Sequence, residues 1–100
     1  MSLLDDIVSA IRTFVGGDLP RAELERQLDA KAAAHPEKLD WRNSIVDLLK
    51  LTGQDSSRIA RERLAAELHY PGHYTGGAAV NIWLHGKVME KLQKTGTGES

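Results

Sequence analysis

The chain of 100 residues has no cysteine, which excludes both a disulfide framework and a thiolate metal site. Aromatic residues are also scarce. There are only five, so aliphatic side chains and alanine must fill any core. Neither sign of charge dominates, because 13 Lys and Arg against 14 Asp and Glu leave a net charge of −1. Domains that bind nucleic acid usually carry a strong basic excess, so we expect no nucleic-acid partner.

Long hydrophobic runs are missing as well. No apolar stretch approaches the roughly 20 residues needed to span a bilayer, and the early acids Asp5 and Asp6 do not fit a signal peptide. We expect no membrane span and a cytoplasmic location. The length suits one domain, which we place at residues 1–95, followed by a flexible tail at 96–100.

Helical spacing of the apolar residues is the strongest positive signal. Together with capping and breaking residues it predicts five short helices, at about 2–15, 20–34, 41–52, 56–69 and 77–94. We therefore expect an all-α protein, folded as a compact orthogonal bundle. Asp40 is expected to cap the third helix, with Trp41 in the core, and Gly53 to end it in the left-handed conformation.

Three further features concern individual helices. The first helix has a clean apolar stripe from Leu3 to Val15, which either docks on the core or forms a detachable helix for a partner or for dimerisation. We expect a monomer or a weak homodimer. In the fourth helix, Arg63 and Glu67 are spaced for an ion pair. One wide apolar arc is predicted for the last helix, comprising Ala78, Ile82, Leu84, Val88, Met89 and Leu92.

Two separated blocks of the sequence resemble a bacterial family, domain of unknown function 3597. They are LDWRNSIVDLLKLTGQDSSRIARERLAAEL and the later NIWLHGKVMEKL, and the resemblance covers roughly residues 39–94. It implies five helices with a long flexible loop between the first two, whereas this chain has only a short link at residues 16–18. The family carries no assigned activity, so the resemblance implies no functional residue.

The histidines and tyrosines near residue 70 are the first candidate for chemistry. The segment HYPGHYTGG holds His69 and His73, with Pro71 and Gly72 between them. These two histidines therefore do not lie on one helical face, and no H-E-x-x-H pattern occurs. We expect no metal site and no cofactor.

A second candidate lies on the last helix. Asn81 and His85 fall inside its apolar arc, where they form either a structural network or a small polar pocket. Trp83 falls on the polar side, where it is either covered or an exposed anchor. The candidate binding residues are Tyr70, His73, Tyr74, Asn81, Trp83 and His85.

These observations favour a non-enzymatic protein-interaction module, because no nucleophile lies at a recognisable spacing from a base. The alternative is a small-ligand or carbohydrate-binding module, or an enzyme. It would use the loop at 69–77 and His85, and it requires His69, His73, Asn81 and His85 to converge on one cavity.

Overall fold

The computed structural model describes residues 2–96 of the chain. These residues form five α-helices joined by turns and links, and they contain no strand. They are α1 Leu3–Val15, α2 Arg21–Ala34, α3 Ile45–Leu51, α4 Arg58–Glu67 and α5 Ala78–Gly96. The predicted all-α class and the five helices are confirmed. The predicted tail lies outside the described residues from residue 97 onwards. No helix within residues 2–96 is long and apolar enough to cross a membrane.

Helix α5 is the centre of the fold, since it contacts each of the other four helices. Its buried apolar side chains recur every four residues, a spacing that lines them along one face of a helix. They are Val80, Leu84, Val88 and Leu92. Ile82, which we expected in the same apolar arc, is instead 67% exposed. Apolar residues occupy so much of this helix that periodicity alone does not decide which of them faces inward.

Helix α1 docks on this core, as the first of its two interpretations predicts. Val8, Ile11 and Val15 are buried, and α1 contacts α2, α4 and α5. The short link at residues 16–18 follows a left-handed Gly16. There the N–H of Gly17 donates to the carbonyl of Arg12 at 2.7 Å, which ends the helix.

The start of α1 is capped by a side chain from another helix. Ser2 supplies the local cap by accepting from the N–H of Asp5. The carboxylate of Glu67, at the end of α4, accepts from the Ser2 hydroxyl at 2.8 Å and from the N–H groups of Leu3 and Leu4 at 2.6 and 3.0 Å. Three donors at the positive end of a helix are thus satisfied by one anion.

This use of Glu67 shows that the predicted Arg63–Glu67 ion pair is wrong. The two residues share one helix, but the carboxylate is turned toward α1. Hydrogen bonds from the N–H groups of Leu4 and Leu3 favour its ionised form, and they hold the pKa of Glu67 below its ordinary value of 4.5.

The predicted start of α3 is also wrong. Residues 41–43 form a turn, and the helix begins at Ile45 after Ser44. The Ser44 hydroxyl accepts from the N–H of Asp47 at 3.1 Å. Asp40 is not the cap, because its carboxylate accepts from the side-chain amide of Asn43. Its own N–H donates to the Asp47 carboxylate at 2.8 Å. At the other end, Gly53 has the predicted left-handed conformation, with φ of 73°.

We predict that Glu67→Gln lowers the free energy of unfolding by about 1 kcal/mol at neutral pH, the usual contribution of a cap. A lowered carboxyl pKa stabilises the fold above pH 4.5, and this stability is lost as the pH falls through the lowered value. The difference between variant and wild type should therefore shrink toward pH 3. Urea denaturation at about pH 7 and pH 3 measures it.

The matched control is Glu62→Gln, which changes an exposed carboxylate on the same helix. It should alter stability by less than about 0.5 kcal/mol. Equal losses in the two variants, or a Glu67→Gln deficit that stays constant with pH, would contradict the proposed capping role.

Candidate functional site

His85 is buried beneath the turn that precedes α3. It is 9% exposed, and its Nε2 lies 2.7 Å from the backbone carbonyl of Trp41. Because a carbonyl oxygen only accepts, Nε2 must carry the proton and donate. Trp41 is itself in the core, as predicted, and its indole N–H donates to Asp29 at 3.1 Å. These contacts connect α5 to the turn and the turn to α2.

Charged side chains surround this contact. Arg42 lies 4.5 Å from the Trp41 ring centroid and donates to Asp29 at 2.7 Å. Arg21 donates to Glu25 at 3.1 Å, and Arg42 also reaches Glu25 at 3.4 Å. The hydrogen bond from Arg21, assisted by Arg42, lowers the pKa of Glu25. Arg21 and Arg42 thus form ion pairs with Glu25 and Asp29 next to Trp41.

A shallow hollow of about 250 Å³ opens between these charges and α5, and His85 borders it. The neighbouring groups are arginines that already contact carboxylates. No hydroxyl or thiol nucleophile lines the hollow. The arrangement therefore suits a structural network better than nucleophilic catalysis.

Asn81, the predicted companion of His85, has a different partner. It is half-buried, and its amide oxygen accepts from Nη1 of Arg61 at 2.8 Å. Nε of Arg61 in turn donates to the carbonyl of Ser56 at 3.2 Å. Asn81 therefore connects α5 to the start of α4, whereas His85 connects α5 to the turn before α3.

The three aromatic candidates share one corner of the molecule, which we call the aromatic corner: Tyr70, Tyr74 and Trp83. The rings of Tyr70 and Trp83 meet edge to face with centroids 5.1 Å apart. Lys87 lies 5.2 Å above the Trp83 ring, and Arg58 lies 5.8 Å from that of Tyr74. All three aromatic residues are half-buried, so Trp83 is neither fully covered nor fully free.

The end of α4 positions this corner. His69 adopts a left-handed conformation with φ of 59°, which is uncommon for a residue other than glycine. The N–H groups of His69 and Tyr70 then close the helix on the carbonyls of Ala66 and Ala65. Chain reversal at His69 turns Tyr70 back toward α5.

A second hollow, of about 300 Å³, lies beside the aromatic corner and is lined in part by Glu62, His69, Tyr70 and Tyr74. The hydroxyl of Tyr74 is buried and has no hydrogen-bond partner among residues 2–96. His73 is exposed and lines neither of these two hollows.

The candidates therefore fall into separate groups rather than one cavity. His85 borders the first hollow, Tyr70 and Tyr74 border the second, and Asn81 lines neither. Across residues 2–96, no three His, Asp or Glu side chains are grouped so that they could hold a metal ion.

The outer face of α5 presents a surface that the periodicity did not reveal. We define it as Ala79, Ile82, Trp83 and Gly86. Ile82 is the most exposed large hydrophobic residue in the described chain, at 67%, and Ala79 and Gly86 beside it are exposed as well. The sequence signal that could have revealed this face is that both neighbours of Ile82 at i−3 and i+4 are small.

Comparisons with known proteins place this architecture in a family. A family model described as "Domain of unknown function (DUF3597)" matches residues 9–99. The chain is also similar to the solution structure of a conserved unknown protein from Rhodopseudomonas palustris. Sequence identity is 36% and the TM-score is 0.71, over 96% of this chain and 93% of that one. No curated protein matches the chain.

We predict that His85→Leu destabilises the protein by about 1–3 kcal/mol, because the buried Trp41 carbonyl loses its donor. The same substitution at exposed His73 is the control and should cost less than about 0.5 kcal/mol. Denaturant midpoints measure both variants. If the two shift equally, the His85–Trp41 hydrogen bond does not stabilise the fold.

Proposed function

The chain belongs to the family described as domain of unknown function 3597. We propose that this domain is a non-enzymatic protein-interaction module, which binds its partner through the outer face of α5. The observation that carries this proposal is the exposure of Ile82 at 67%, directly beside the half-buried Trp83. Large apolar side chains next to a tryptophan are typical of the centre of protein interfaces.

The surroundings of Ile82 support the same function. Ala79 and Gly86 are small, and a Cβ built on Gly86 would meet no atom within 4 Å, so another backbone can approach closely. Trp83 is held edge-on by Tyr70 and capped by Lys87. A ring that is already fixed in position loses little freedom when a partner covers it.

A photo-reactive amino acid at position 82 tests this proposal in cells of the source organism. We expect discrete covalent adducts from position 82 and none from position 30, an exposed alanine on α2. Mass spectrometry identifies the adducts.

Competition supplies the matched control. Excess wild-type chain should suppress the adducts, and so should Ile59→Lys, which alters an isoleucine of similar exposure (62%) on α4. Ile82→Lys should not suppress them. Equal labelling from positions 82 and 30, or full competition by Ile82→Lys, would contradict the assignment to α5.

His69, His73, Asn81 and His85 do not converge on one cavity, because only His69 lines the hollow beside the aromatic corner. That hollow favours a narrower second candidate, a small-ligand or carbohydrate-binding module that uses Tyr70 and Tyr74 without His85. Tyr70 and Tyr74 line it together with Glu62 and His69, and aromatic rings with a few polar groups suit a neutral sugar.

For this candidate we predict saturable shifts of the backbone amides at 69–77 when neutral mono- and disaccharides are titrated into the ¹⁵N-labelled chain. The Tyr70→Ala variant should lose them. The interaction module predicts no shift with any sugar, so the titration distinguishes the two candidates.

A further inference from the structure

An apolar groove shares no residue with the outer face of α5. It runs between the first half of α1 and the first half of α4, with a volume of about 260 Å³. Its apolar lining comprises Leu3, Ile7, Ile59, Ala60 and Leu64. The space is smaller than most drug-sized ligand pockets, which begin near 300 Å³, and it suits a few aliphatic side chains.

Most of the exposed large hydrophobic side chains in the described part of the chain border this groove. Three large hydrophobic side chains are exposed between residues 2 and 96, and two of them, Leu3 at 38% and Ile59 at 62%, border this groove. The third, Ile82, belongs to α5. Two exposed aliphatic side chains on facing helices mark a docking surface more strongly than one isolated residue does.

Charge on the rim indicates the kind of partner. Asp6 and Asp55 line the groove with a single basic residue, Arg63. Asp6 is exposed and forms no ion pair with the described residues. Asp55 accepts from the N–H of Ser57 at 2.9 Å, which favours its ionised form, and lies near Arg63. The rim therefore keeps one net negative charge, complementary to a basic segment.

We propose that this groove binds an amphipathic helix of a partner protein, with two aliphatic side chains one turn apart in the groove and a Lys or Arg beside Asp6. A groove between two helices accepts a third helix when side chains at positions i and i+4 of that third helix enter the groove. Strand addition is the other common mode of peptide recognition, but the described residues contain no sheet edge to receive a strand.

Selection from a displayed library of helical peptides tests the proposal. Every peptide of the library is an alanine-rich helix. The residues in two adjacent helical turns, and the residues that flank these turns, are randomised. Selection against the full chain should enrich two aliphatic residues at i and i+4, flanked by Lys or Arg. Enriched peptides should bind Ile59→Ser at least about tenfold more weakly than wild type, a loss usual for a central anchor.

Ile82→Ser is the matched control, because it removes an isoleucine of the same exposure from α5. It should bind the selected peptides as wild type does. Asp6→Asn should reduce the preference for basic over acidic flanks. The proposal is overturned if no peptide is enriched, if the enriched flanks are acidic, or if Ile82→Ser loses binding while Ile59→Ser keeps it. That last result would instead favour the α5 surface, so the two proposals fail separately.

Discussion

The fold depends on one apolar row along α5, from Val80 to Leu92, because every other helix contacts this helix. Residues spaced by four lie almost in line along a helix, so they present a narrow ridge. Each of the other four helices contacts α5. With so few aromatics available, burial of leucine, isoleucine and valine supplies most of the driving force. Outside this row, Ile82 faces the surface, whereas His85 is buried against the turn before α3.

Polar contacts then fix how the surrounding elements sit on this ridge. His85 holds the turn at Trp41, Asn81 holds Arg61 of α4, and Glu67 holds the start of α1. Each contact is made between elements distant in the sequence, and each satisfies groups that would otherwise lose hydrogen bonds with water on folding. The polar residues of α5 thus position its neighbours, whereas Ile82, on the side of the helix away from the buried Val80 and Leu84, stays exposed.

The sequence was sufficient for the features that local chemistry controls. Helical spacing predicted the five helices, and the turn residue Gly53 was predicted in its left-handed conformation because glycine adopts it without strain. The prediction that Asp40 caps the third helix failed, because Trp41 lies in a turn that contacts His85 and Asp29, and the helix begins only after Ser44. The predicted burial of Ile82 failed for a related reason, since α5 contacts four other helices and its own periodicity does not show which sides they cover. Glu67 had a plausible partner one turn away, and no local pattern reveals a partner in another helix.

The bonds of Glu67 have a consequence for how the chain acquires its structure during synthesis. They join positions 63 to 65 residues apart in the chain, and α1 is synthesised before residue 67. Until then, the Ser2 hydroxyl and the N–H groups of Leu3 and Leu4 can bond only to water. The apolar stripe of α1 likewise cannot pack on the buried row of α5 until α5 has been made. A contact so distant in sequence is closed late. The hydrogen bonds that complete the first turn of α1 thus form only once residue 67, at the end of α4, is available.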